Sequence, residues 1–248
     1  MAMIRFDVNC ALGRWPDGGP TYEDAAQLTA ALDRLGIERA LVRHRLGQHH
    51  DAAYANALLL EQAGGCERLI PCLTGLPPIA GELGPLDDWL AMCADARAGA
   101  VILYPASHGY PLTDWQLGLL PGALAARRVP LLLETSEVQW DALHRLMERY
   151  AELRVVLLSS GYRVLRPLYA LLEAHPQLYL DLSTLSNFCG IETLVERFGA
   201  ERFLFGTGQP RADGAGIVAA LNYVALNETQ KQAILAGNLA WLIEEVRW

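Results

Sequence analysis

The chain has 248 residues, 52% hydrophobic and 19% charged, a balance that excludes intrinsic disorder. Lys and Arg number 20 against 28 Asp and Glu, and the net charge of −8 disfavours nucleic acid and anionic membrane as partners. No uncharged apolar run approaches the ~20 residues of a membrane span, and Arg5 and Asp7 fall where a signal peptide would carry its apolar stretch.

In chain order, short aliphatic and β-branched runs predict eight strands: Met3–Asn9, Arg39–His44, Leu69–Thr74, Gly99–Tyr104, Val129–Thr135, Leu153–Ser159, Leu178–Ser183 and Arg202–Thr207. Their near-continuous apolarity is that of strands buried on both faces. Helical patterns lie between them. Ala25, Leu28, Leu32 and Leu35 recur at helical spacing, as do Leu165, Leu168, Tyr169 and Leu172. Capping boxes are expected at Thr21 with Asp24, Thr113 with Gln116 and Ser136 with Gln139. Gly36, Gly64, Gly99 and Gly199 are placed to end helices in the left-handed conformation. A last helix is expected from about Asn227 to Val246, with Leu235, Leu239, Leu242 and Val246 on one face. Trp241 and Trp248 suggest that this helix packs on the barrel or on a second copy of the chain, so a homo-oligomer stays open.

Strand–helix alternation at this rhythm implies parallel strands. Eight units of about 31 residues fill the chain, which fits a (β/α)₈ TIM barrel with a C-terminal helix, one domain over 1–248. A doubly wound open sheet has the same alternation, but no Gly-x-Gly-x-x-Gly follows the first strand. The five cysteines (Cys10, Cys66, Cys72, Cys93 and Cys189) are scattered and form no Cys-x-x-Cys pair. They read as buried free thiols in a reducing cytoplasm rather than a zinc-thiolate site.

In such a barrel the chemistry lies at the C-terminal ends of the strands. There the sequence places Asn9, Arg43 and His44, Tyr104, Glu134, Ser159 and Ser160 with Arg163, Asp181, and Arg211. Glu134 closes an aliphatic run and points to the barrel mouth, either as a general acid or base or as a partner of Arg43, Arg163 or His44. Ser159-Ser160-Gly161 opens a helix whose N–H groups, with Arg163 and Arg211, suit a carboxylate or phosphate; plain capping by serine is the simpler alternative. Asp181 is expected to bond neighbouring strand ends, and Trp15, Tyr104, Tyr110 and Tyr162 are candidates to line a pocket. His44, His49, His50 and His108 fall in mouth segments, as surface-loop residues or as a displaced metal site.

Five segments in order resemble the amidohydrolase superfamily, in its branch of metal-dependent hydrolases and decarboxylases. They are Ile4–Asn9 with Gly13, Leu153–Gly161, Leu178–Ser183, Arg202–Pro210 and Ile234–Leu242. The resemblance implies the barrel fold. It also implies one or two divalent metals held by a His-x-His pair on strand one, a His on each of strands five and six, and an Asp on strand eight. Here those positions read Asn9 and Ala11, Glu134, Ser159 and Gly208. Ala11 and Gly208 offer no side-chain donor, so the family zinc or other divalent ion is expected to be absent and no cofactor is expected.

Three functions follow as expectations. The first is a divergent amidohydrolase-like protein binding a small anionic ligand at the barrel mouth. The second is a metal-independent, lactonase-like hydrolase working through Glu134, with Ser159 and Asn9. The third is a metal-dependent hydrolase or decarboxylase with relocated ligands. Catalysis itself is left open, and an enzyme, if this is one, would be a hydrolase of that superfamily.

Overall fold

The structure is a computed structural model that describes residues 3–16, 18–187 and 189–248. Eight strands lie side by side in sequence order, every pairing parallel. They are β1 (Phe6–Leu12), β2 (Arg39–His44), β3 (Leu69–Thr74), β4 (Ala100–Leu103), β5 (Leu131–Glu134), β6 (Val155–Leu158), β7 (Leu178–Asp181) and β8 (Phe203–Leu204). The last strand returns to the first. Val8 N donates to Phe205 O at 2.9 Å, Ala11 N donates to Gln209 O at 3.0 Å, and Cys10 bridges Gln209. The fold is the expected (β/α)₈ barrel.

Inward side chains of alternate residues fill the barrel. Val8, Leu41, Ile102, Leu132, Val156, Leu158 and Leu204 form one buried cluster, while Val42, Leu73, Val101, Leu133, Leu157 and Leu180 face the helices. The C-terminal segment plugs the bottom. Ala236, Leu239 and Leu242 join the inner cluster, and Asn238 Nδ2 donates to the carbonyls of Ala200 and Phe203, each at 2.8 Å. This helix begins with a full capping box of Asn227 and Gln230 and contains a π turn over Ala233–Gly237. Trp248 Nε1 donates to Ala98 O at 2.9 Å, whereas Trp241 is 46% exposed with Arg154 above its ring. Among the described residues no helix is long and apolar enough to cross a membrane.

Several local expectations are corrected. β1 starts at Phe6, because Phe6 is the first residue with a partner, Arg39 of β2. None of the three expected capping boxes forms. Asp24 itself caps the first helix, accepting from Gln27 N, while Thr113 and Gln139 make no side-chain cap bond and Ser136 lies in a 3₁₀ turn. Gly36 has positive φ as expected; Gly199 also has positive φ but with ψ 153°, outside the left-handed helical region, and Gly64 and Gly99 do not have positive φ. Gly99 serves close packing instead: a Cβ there would stand 2.6 Å from Ile70 Cγ2 and 3.3 Å from Ile243 of the plugging helix.

Candidate functional site

β1 carries a bulge. Asp7 pairs with Ala40 and Cys10 with Val42, so three steps on β1 match two on β2. The extra residue reverses which side chains face inward. Phe6 and Val8 point into the barrel below it; Cys10 and Leu12 point out above it. Asn9 and Ala11 are thereby turned into the mouth. The fully buried Asp7 carboxylate holds the bulge, accepting from Asn9 N at 2.8 Å, Thr207 N at 3.0 Å and the Thr207 hydroxyl. Burial pushes its pKa up, against the pull of those hydrogen bonds.

The mouth cavity has a volume of about 310 Å³ and is lined by all five residues at the positions matched to metal ligands: Asn9, Ala11, Glu134, Ser159 and Gly208. Arg43, Arg45, Gln48, His49, Trp15, Ser136, Gln209 and Arg211 complete the wall. A line of hydrogen bonds crosses it. Asn9 Nδ2 donates to Asp181 Oδ2 at 2.6 Å, Arg43 Nη1 donates to Asn9 Oδ1 at 2.8 Å, and Arg43 Nη2 meets Glu134 Oε1 at 2.7 Å. Four strand ends are joined in this way: β7, β1, β2 and β5. Asp181 also accepts from Ser183 Oγ at 2.6 Å, Ser183 N at 2.8 Å and Ser159 N at 3.0 Å. A Cβ at Gly206 would overlap this carboxylate, so the position requires glycine. Burial raises the Asp181 pKa to about 6 even so.

Arg43 is buried. Burial alone would lower its pKa, but Glu134, with smaller contributions from Tyr104, Cys72 and Cys10, outweighs it and holds the guanidinium charged. Arg45 follows two residues on and continues the inward face. Its guanidinium lies over the Trp15 ring, 3.2 Å from the centroid, with Arg211 4.5 Å from the same ring. Arg45 Nη2 donates to Gln48 Oε1 at 2.9 Å, and Nη1 stands 3.8 Å from Glu134 Oε1. Arg45 Nε and Nη1 have no hydrogen-bond partner among the described residues. Burial, followed by repulsion from Arg43, pulls this guanidinium down to about 10. The sequence reading missed Arg45, and its signal was the i, i+2 spacing from Arg43.

The structure thus gathers Asn9, Glu134, Ser159, Arg43 and Arg211 on one cavity and sets Asp181 behind Asn9 and Ser159. It places the other candidates elsewhere. His44 faces away from the barrel axis, its ring packed on Gly13, and burial lowers its pKa. Tyr104 is fully buried, and that burial pushes its phenol up to about 12. Ser160 donates its hydroxyl to Leu157 O at 3.1 Å, and a 3₁₀ turn, Tyr162–Val164, precedes the helix Leu165–Ala174. Arg163 is exposed beside Tyr162. His49 lines the cavity near Trp15, His50 lies against Tyr54, and His108 between Tyr104 and Tyr110. Among the described residues no three His, Cys, Asp or Glu are grouped to hold a metal ion.

The donor set does not fit the family's divalent ion. Ala11 and Gly208 bring no donor, both ends of the Asn9 amide are engaged, and Glu134 Oε1 is shared by two guanidiniums. Residues 11–240 match the family model described as Amidohydrolase. The chain belongs to that amidohydrolase family. Among solved structures, 5-carboxyvanillate decarboxylase from Sphingomonas paucimobilis is similar at 12% identity, with a TM-score of 0.75 and 98% of this chain and 99% of that one covered. Dihydroxybenzoic acid decarboxylase from Polaromonas sp., with bound manganese and 2-nitroresorcinol, gives 15%, 0.74, 98% and 97%. A protein from Acinetobacter baumannii described as a probable 2-pyrone-4,6-dicarboxylic acid hydrolase, with citric acid bound, gives 12%, 0.72, 97% and 99%. At these identities the likeness is one of fold. No curated protein sequence matches the chain significantly.

Proposed function

We propose that this amidohydrolase-family barrel binds a small anion at its mouth, without a catalytic metal. One observation carries the reading: two buried arginines, Arg43 and Arg45, share the single carboxylate of Glu134 in the cavity wall. A buried charge is costly unless it is paired, and Arg45 has two nitrogens without a hydrogen bond among the described residues. A carboxylate or phosphate in the cavity supplies the missing anion beside that guanidinium. The cavity, about 310 Å³, is at the small end of ligand pockets, which suits a compact ligand. The Acinetobacter protein, which holds citric acid, supports a ligand of this charge class.

The test is binding of citrate, acetate and inorganic phosphate, read by thermal shift and calorimetry. At least one should bind the wild-type protein, more weakly as salt rises. Arg45→Met keeps the stem and removes the charge. It should weaken binding about tenfold or more, the worth of a charge-assisted hydrogen bond of ~1.5–3 kcal/mol. Equal binding by Arg45→Met, or no binding of any of the three by the wild type, overturns the reading.

A further inference from the structure

We infer that Arg43 is the resident cation of this barrel, a guanidinium fixed by the chain where the family's pattern places a divalent ion. The inference rests on the metal-independent reading above and adds the residue that makes it so. Asn9 and Glu134 are two of the five matched positions, and Arg43 bonds both, at 2.8 and 2.7 Å. All five line the cavity into which Arg43 projects. Its side chain is 5% exposed, and it reaches that position from the inward face of β2.

The residue types around it agree. Oxygen and nitrogen of an amide are easily exchanged in a structure, but here their chemistry decides. A guanidinium only donates and an ionised carboxylate only accepts. Asn9 therefore turns Oδ1 to Arg43 and Nδ2 to Asp181, the orientation observed. A neutral side chain with one donor and one acceptor is what a bridge between a carboxylate and a guanidinium needs, and asparagine supplies it.

The exchange of ions has a chemical consequence. A guanidinium is planar, holds its charge at any working pH and cannot be chelated. It brings one positive charge and hydrogen-bond donors. It has no coordination position in which a water is acidified, as a bound divalent ion has. A mouth built on Arg43 can hold and orient an anion; it does not generate a metal hydroxide.

The experiment uses full-length protein in two arms. In the first, Arg43→Ala is melted with and without millimolar methylguanidinium, and with methylammonium, zinc and manganese in parallel, citrate serving as the anion probe. The variant should melt several degrees below wild type and lose the citrate-induced shift. Methylguanidinium should restore at least half of the loss in melting temperature, and methylammonium and the metals should not. A folded Arg43→Ala that melts and binds citrate as wild type does, or one restored by zinc or manganese but not by methylguanidinium, overturns the inference. The second arm holds even if Arg43→Ala does not fold. Wild-type protein from cells grown with added zinc and manganese should carry less than about a tenth of an equivalent of metal, with no change in melting on chelation. Near-stoichiometric metal that disappears in Glu134→Gln overturns the inference. If Arg43 behaves as stated but Arg45→Met binds the anion normally, the anion reading fails and the resident cation stands.

Discussion

Asp181 sits at the root of the mouth, and its ionisation records the balance struck there. Four hydrogen bonds from Asn9, Ser159 and Ser183 favour the carboxylate, and complete burial disfavours it more. With a pKa of about 6 against an ordinary 3.8, the folded chain holds a proton that the unfolded chain lacks between those values. The contribution of this group to stability is therefore fully present below ~4 and is lost as pH rises through about 6. Carbon NMR of the labelled side chain should show a midpoint near 6; a midpoint at or below the usual ~3.9 contradicts the burial argument. Other residues show what the sequence could and could not disclose. Glu134 was legible because it ends an aliphatic run at a strand's C-terminal end. Arg45 was not, because it lies one residue past the end of β2, although its side chain continues the alternation of Leu41 and Arg43. The sequence set His44 at the mouth beside Arg43, but adjacent strand residues face opposite ways, and the His44 ring packs on Gly13.

At the scale of elements, the bulge in β1 decides the site. Plain alternation from Val8 would send Cys10 and Leu12 inward and leave Asn9 facing the helices. Position at the end of strand one and the resemblance to a family, not hydrophobic periodicity, are what put Asn9 and Ala11 at the mouth. Bulges leave little trace in composition, since one inserted residue shifts the pattern without changing its apolar character. Asp7 is the side chain that fixes this one. Asp7→Ala would leave the buried amides of Asn9 and Thr207 without their acceptor, at roughly 1–3 kcal/mol each. Urea unfolding should show a loss of about 2–5 kcal/mol, well beyond an ordinary surface substitution. A loss under ~1 kcal/mol would remove Asp7 from this role. Strand positions were readable because apolar side chains cover both faces of each strand. Helix starts were not, because hydroxyl-x-x-Asp and hydroxyl-x-x-Gln spacings also occur in loops, and the side-chain caps that form among the described helices use Asp24, Asp51 and Asn227.

For the whole molecule, the two ends of the barrel are built differently. The bottom is sealed by apolar packing of the C-terminal helix, Ala236, Leu239 and Leu242 against the inner cluster. The top is held by charge, through a line of side chains that ties β7, β1, β2 and β5 together and leaves a small cavity beside Arg45. The amidohydrolase frame is retained, and two of its matched positions, Asn9 and Glu134, bond the Arg43 guanidinium. The most direct test is a crystal structure of wild-type protein grown with manganese and citrate together, with data collected at the manganese edge. Arg43 should lie within hydrogen-bond distance of both Asn9 and Glu134, with citrate density on Arg45 and no anomalous peak in the mouth. A manganese ion coordinated by Glu134, with Arg43 turned away, would contradict that arrangement.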